Sequence, residues 1–145
     1  ALARYTHTID NKGRVIVPAK LREQLDGVLI VTQGIDEGFL AAYTPEEFEL
    51  IKDQILNHSS TGYVIRKLKR EVLGSSTVCE FDGQGRISVP AFLWDHISVK
   101  PGEDVCFIHV FDKIEICAQS FYDKLQEEDK PLSEMDLSSY EIRGL

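Results

Sequence analysis

Long apolar runs are missing from this 145-residue chain. Its longest, Val28–Val31 and Phe39–Tyr43, fall far short of the ~20 residues a membrane-spanning helix needs. The opening Ala-Leu-Ala-Arg-Tyr-Thr lacks the apolar core of a secretory leader, so no export is expected. Cysteine is scarce: Cys79, Cys106 and Cys117 cannot all pair within one chain, and none lies in a C-x-x-C. The expectation is a cytosolic protein whose reduced thiols pack as small apolar groups. Metal-ligand spacing is absent too, since His7, His58, His96, His109 and the cysteines form neither a C-x₂₋₄-C nor an H-x₃₋₅-H. Cys106 and His109, three apart on a strand, face opposite ways. Asp82-Gly-Gln-Gly-Arg86 lacks the third glycine and long helix of a nucleotide cradle, and no Ser-His-Asp or Cys-His signature is present. These absences predict neither an enzyme nor a cofactor or metal protein.

What remains is the composition of an ordinary globular protein, 43% hydrophobic and 28% charged, sized for one domain or for two small units sharing a core. The formal net charge is −8, which taken alone disfavours a polyanion as partner. Its distribution points the other way. Residues 1–22 carry Arg4, Lys12, Arg14, Lys20 and Arg22 against Asp10, a net +4, and residues 66–70 (Arg-Lys-Leu-Lys-Arg) add another +4. The remaining segments are acidic, net −7 over 23–65, −5 over 71–118 and −4 over 119–145. A chain that meets nucleic acid through one face shows this asymmetry, as does a chain with a solvated basic helix face.

The chain also contains itself twice. Asp10-Asn-Lys-Gly-Arg-Val-Ile-Val-Pro-Ala-Lys-Leu21 matches Asp82-Gly-Gln-Gly-Arg-Ile-Ser-Val-Pro-Ala-Phe-Leu93 at an offset of 72, with seven of twelve positions identical. Each copy predicts a short strand (Tyr5–Ile9, Thr77–Phe81), a turn holding Gly13 or Gly85, and a second strand ending at Pro18 or Pro90. A short helix follows, striped by Leu21 and Leu25 or by Leu93 and Ile97, then a hairpin (Val28–Gln33 with Phe39–Tyr43; Val105–Val110 with Ile114–Cys117). Thr44-Pro-Glu-Glu47 reads as a capping box opening a helix with Phe48, Ile51 and Ile55 inward. Its counterpart runs from Ser120 to about Glu128 with Phe121 and Leu125 inward. Between the copies, Ser60–Leu73 predicts one basic helix with Ile65, Leu68 and Val72 inward, stopped by Gly74. Strands this short bury little alone, so the expected α+β fold is one shared pseudo-twofold β barrel with peripheral helices.

An aspartate four residues ahead of an arginine at a strand corner can accept backbone N–H bonds or clamp the guanidinium in one direction. Arginine so held suits bidentate contact with guanine or phosphate, and equally staples its own turn. Lys12 and the Gly13 N–H offer further phosphate contacts. Copy one, with Lys12, Lys20 and Arg22 beside Arg14, is expected to carry most of any DNA affinity. Copy two has Gln84, Phe92 and Trp94 at those places, and Trp94 is expected to pack in the core or at an interface.

The motif Asp10-x-Lys-Gly-Arg-x-x-x-Pro-x-x-x-Arg22, the basic helix ending Val-Leu-Gly74, and the second Asp82-x-x-Gly-Arg86-x-x-x-Pro together resemble the MraZ family. This is the bacterial transcriptional regulator of the division and cell-wall gene cluster, built from two SpoVT-AbrB-type domains. The resemblance covers about Tyr5 to Glu128. Ala1 is not a start methionine, so the residues before Tyr5 depart from the family pattern. The division it implies is a first repeat over 5–57, a connecting basic helix over 58–74, a second repeat over 75–129 and an acidic tail over 130–145. It further implies a swapped-hairpin barrel, a ring of about eight subunits, and a cytoplasmic, nucleoid-associated repressor of short direct promoter repeats in double-stranded DNA. By position, Arg14 is the leading DNA contact, followed by Lys12, Gly13, Arg86, Lys20 and Arg22, with Asp10, Asp82 and Gly85 structuring the loops. Two other functions fit the same residues: an antitoxin-like protein binding both DNA and a toxin through its tail, and a scaffold oligomer that leaves DNA alone.

Overall fold

Apolar and polar residues alternate from Arg4 to Thr8, turning Tyr5 and His7 inward and Arg4, Thr6 and Thr8 to solvent. The computed structural model of the chain describes residues 4–23 and 25–145, with Lys20 described by its backbone alone. The first copy runs β1 (Arg4–Thr8), β2 (Arg14–Ile16), α1 (Ala19–Arg22), β3 (Val28–Gln33), β4 (Leu40–Tyr43) and α2 (Pro45–Leu56). A linking helix, α3 (Tyr63–Leu68), leads to the second copy. That copy runs β5 (Thr77–Glu80), β6 (Arg86–Ser88), α4 (Ala91–His96), β7 (Asp104–His109), β8 (Ile114–Ala118) and α5 (Gln119–Glu128). Pro18 and Pro90 sit just ahead of α1 and α4. Thr44 caps α2 by accepting the Glu47 N–H at 3.2 Å, with Pro45 at the first helical position, as the capping box predicts.

The strands pair across the copies. Six form an antiparallel sheet in the order β1-β7-β8-β4-β3-β5, and β2 with β6 form a separate ribbon. Tyr5 lies opposite Phe107, Leu29 opposite Cys79, Ala41 opposite Glu115, and Val15 opposite Ile87. Exchanging the two copies leaves the strand order unchanged, which is the pseudo-twofold expected from the repeat. The barrel expectation needs correcting, because β1 and β5 are the free edges of the larger sheet and no strand pairing among the described residues closes it. Instead the sheet and the ribbon enclose one core to which both copies contribute, including Val15, Leu29, Leu40, Ile87, Leu93, Trp94, Phe107 and Ile116. A fully buried aliphatic or aromatic side chain of this size stabilises by about 1.5–3 kcal/mol. Smaller clusters seat the helices. Phe48 joins Ile30 and Val72 beneath α2, and Phe121 and Leu125 cover Phe39, Cys106 and Cys117 beneath α5.

The linker departs from the single helix expected over Ser60–Leu73. After α3 the chain widens into a π turn over Lys69–Leu73, closed by the Gly74 N–H reaching back to Lys69 O at 2.8 Å. Two buried hydroxyls draw the carbonyls of this turn. Thr32 Oγ1 donates to Val72 O at 2.5 Å, and Ser75 Oγ donates to Glu71 O at 2.6 Å. Glycine at 74 permits the turn, since a Cβ there would collide with the Arg70 carbonyl.

Candidate nucleic-acid interface

The repeated Asp-x-x-Gly-Arg segments form two nearly identical corners on either side of the ribbon. In the first, Asp10 Oδ1 accepts the N–H groups of Lys12 and Arg14, both at 2.9 Å, and Oδ2 accepts Arg14 Nε at 2.6 Å. The backbone closes the corner, with Asp10 N–H donating to Arg14 O and Gly13 N–H to Asp10 O. The second corner repeats each bond: Asp82 Oδ1 to the N–H groups of Gln84 and Arg86 at 2.8 and 2.9 Å, Oδ2 to Arg86 Nε at 2.8 Å. Gly13 and Gly85 take φ of 74° and 78°, the left-handed conformation these turns require. The Arg14 N–H first, then Lys12's N–H and the Arg14 guanidinium, hold the Asp10 carboxyl below its ordinary value. The Arg86 N–H leads the same effect at Asp82.

These corners interlock. Val17 N–H donates to Gly85 O at 3.0 Å and Val89 N–H to Gly13 O at 3.2 Å, so each copy's loop is hydrogen-bonded to the other copy's strand. Arg86 Nη1 lies 3.8 Å from Asp10 Oδ2, which brings both clamped guanidinium groups to one carboxylate. The ribbon turns Val15 and Ile87 into the core and Arg14, Ile16, Arg86 and Ser88 outward, with Arg14 opposite Ser88 and Ile16 opposite Arg86. The two arginine side chains remain 29% and 23% exposed. A two-stranded ribbon of this kind fits the major groove, where a guanidinium held in one direction can address base edges or phosphate.

The expected site residues fall into different places. Arg14, Arg86, Asp10, Asp82, Gly13 and Gly85 come together at the corners, and Lys12 is exposed beside them. The Gly13 N–H is not free to meet a phosphate, as the turn itself uses that donor on the Asp10 carbonyl. Arg22 turns under the second corner: its Nε donates to Val17 O at 2.8 Å, and its guanidinium fills the space where a Cβ on Gly85 would stand. Lys20 lies in α1, and its side chain falls outside the described residues. Trp94, at the place of Arg22 in copy two, is 3% exposed and donates its indole N–H to Gly13 O at 2.9 Å. Each corner therefore rests on a large planar side chain supplied by the opposite copy, a role that spacing alone did not reveal. The 72-residue offset, which aligns Arg22 with Trp94, is the signal that could have found it.

The basic run lies on the linker, apart from the ribbon. Arg66 donates to the carbonyls of Thr61 and Ser60, Lys67 pairs with Glu71 at 2.9 Å, and Lys69 reaches Ser60. Among the described residues no cluster of three or more His, Cys, Asp and Glu gathers for a metal. No described helix is long and apolar enough to cross a membrane.

Known proteins are similar to this sequence. A family model described as "MraZ protein, putative antitoxin-like" matches twice, over residues 1–71 and 72–142. The transcriptional regulator MraZ of Caldanaerobacter subterraneus subsp. tengcongensis is 36% identical over 123 residues, covering 85% of this chain and 84% of that one. The protein of that name from Lachnoclostridium phytofermentans is 36% identical over 142 residues, covering 94% and 98%. That from Ligilactobacillus salivarius is 35% identical over 127 residues, covering 88% and 87%. With both repeats matched and the similarity running through both copies of the loop, the chain belongs to the MraZ family.

Proposed function

We propose that this chain is a transcriptional regulator that binds double-stranded DNA through the β2–β6 ribbon and its two corners, acting as a repressor at short direct repeats in promoters of the division and cell-wall cluster. The observation that carries the reading is the pair of arginines, Arg14 and Arg86, each clamped by an aspartate and presented side by side on one exposed ribbon. Pre-orientation of this kind lowers the ordering cost of each contact. Arg14 is the leading contact, with Arg86 and the exposed Lys12 beside it. Lys20 belongs to the same proposed surface, while Asp10, Asp82, Gly85 and the buried part of Arg22 hold the corners in shape. The crossed pairing of the two copies is read as a swapped-hairpin unit made of tandem SpoVT-AbrB-type repeats over 5–57 and 75–129. Several such units, joined in a homo-oligomeric ring, would engage successive repeats and multiply a weak single contact through effective concentration. The reading carries a cytoplasmic, nucleoid-associated location and no catalysis.

Fluorescence anisotropy on a labelled duplex from upstream of the protein's own gene, against a scrambled duplex, tests this. Wild type is expected to prefer the upstream duplex, with affinity falling steeply as salt rises. Arg14→Ala is expected to lower that affinity by at least about tenfold, in keeping with the ~1–3 kcal/mol of a bidentate base contact, while the native mass stays unchanged. Equal binding to both duplexes, or an Arg14→Ala protein as tight as wild type, would remove the ribbon from the DNA site. An assembled protein that binds neither duplex at low salt would favour the scaffold reading.

A further inference from the structure

The outward face of the β2–β6 ribbon carries four side chains, and one of them is apolar. Arg14, Ile16, Arg86 and Ser88 point away from the core, with Val15 and Ile87 buried behind them. Ile16 is 44% exposed. It stands directly opposite Arg86 and two residues along β2 from Arg14, so it lies between the two clamped guanidinium groups. Alternation alone calls for a polar residue on such a face. The second copy has one, since Ser88 is the counterpart of Ile16 at the 72-residue offset. The pseudo-twofold that relates the corners is therefore broken on the face between them, with an aliphatic neighbour beside Arg86 and a hydroxyl beside Arg14.

We infer that Ile16 is a specificity-determining residue of the ribbon, packing on the methyl group of a thymine in the major groove at or beside the base pair that Arg86 contacts. This inference rests on the DNA-binding reading above. A duplex seated on both guanidinium groups covers the side chain between them. The thymine methyl is the apolar group that base-pair edges present in that groove, among hydrogen-bond donors and acceptors. Cross-strand neighbours stand about 5 Å apart, close to the ~3.4 Å spacing of successive bases, so a residue opposite Arg86 reaches the same base pair or the next one. Isoleucine holds a restricted χ1 and offers neither donor nor acceptor. Against a cytosine amino group or a guanine edge it would strip water from a polar group without replacing the bond. Ser88, at the equivalent place beside Arg14, carries a hydroxyl that either donates or accepts and makes no such demand. The chain thereby reads its element in one orientation, although the two corners that grip it are alike.

Replacing single thymines of the upstream duplex by deoxyuridine tests it, because the change removes the methyl group and leaves every hydrogen-bonding group in place. Wild type is expected to lose about fourfold in affinity at one or two thymines, the effect of one buried methyl-sized group, and to be indifferent at the rest. Ile16→Ser is expected to bind the parent duplex about fourfold more weakly and to show no further loss at those thymines. Ile16→Ser combined with Ser88→Ile is expected to move the sensitivity to a different thymine, on the Arg14 side. Wild-type indifference at every thymine, an Ile16→Ser protein that keeps the sensitivity, or a sensitivity that stays in place in the exchanged protein would overturn the inference. So would a fall in the native mass of Ile16→Ser by light scattering, which would make the residue a contact between copies. Arg14→Ala separates the two readings. Where it weakens binding and the thymine scan is flat, this inference alone falls; where it binds as tightly as wild type, the ribbon and the inference fall together.

Discussion

Asp10 and Asp82 each accept three hydrogen bonds within their own corner, two from backbone N–H groups and one from an arginine Nε. Both carboxyls are consequently held below their ordinary value of 3.8. A carboxyl depressed in the folded state stabilises the fold above its unfolded pKa, and that contribution is lost as pH falls through the folded pKa. Wild type is therefore expected to lose melting temperature as pH drops below 3.8. The double variant Asp10→Asn, Asp82→Asn keeps an oxygen for the N–H groups and loses the charge. It is expected to melt lower than wild type at pH 7 and to converge with it in acid. Circular-dichroism melts across that window measure the gap, and a gap that stays constant from neutral to acid pH would show that the carboxylate charge plays no part in holding the corner. The clamp itself was legible from the four-residue spacing of Asp10 and Arg14, because an Asx turn and a short ion pair are local chemistry. The placement of Arg22 was not legible, since beyond its bond to the Val17 carbonyl it packs against Gly85, 63 positions away in sequence.

At the scale of elements, period and punctuation carried the reading where structure is local. The β3 strand, the capped α2 and the apolar stripe of α5 fall where the hairpin reading of Val28–Gln33, Thr44 and the Phe121–Leu125 spacing put them. The linker did not, because the end of its helix is decided by tertiary contacts. Thr32, buried on β3, lies 2.9 Å from Ser75 and takes the Val72 carbonyl, and Ser75 takes the Glu71 carbonyl. A threonine in a strand reads as a β-former, and nothing in its neighbours announces a hydroxyl pair with a residue 43 positions on. Thr32→Val preserves the shape and removes the hydroxyl, leaving the Val72 carbonyl buried without this donor. The expected cost is about 1–3 kcal/mol, read as a lower denaturation midpoint at unchanged m-value. Ser75→Ala in the same background is expected to cost less than it does in wild type, since both hydroxyls serve one network. Full additivity of the two substitutions would mean the pair acts as two independent contacts.

At the scale of the molecule, the internal repeat announced a shared core, and the crossed strand pairing is how that core is made. β1 finds its partner in β7, β5 finds its partner in β3, and the two short ribbon strands pair with each other across the copies. Neither copy alone can satisfy its first strand, and a three-residue strand such as β2 has no independent stability. The fold is thus one cooperative unit despite its two sequence repeats. Expressed separately, residues 1–74 and 75–145 are each expected to lack a folded monomer, either unfolding or pairing with a second copy of the same half in imitation of the pseudo-twofold. Mixed together, they are expected to form a one-to-one complex with a cooperative melt and the β content of the intact chain. Light scattering with circular dichroism distinguishes these states. A half that folds as a stable monomer would mean that its strands close on themselves when the other copy is absent, and the pairing of β1 with β7 would then be one arrangement among two. The crossed arrangement also couples the corners, because Trp94 of the second copy supports Gly13 of the first. On the proposed DNA-binding reading, a reconstituted complex is expected to recover DNA affinity together with its fold, whereas either half alone presents an unsupported corner.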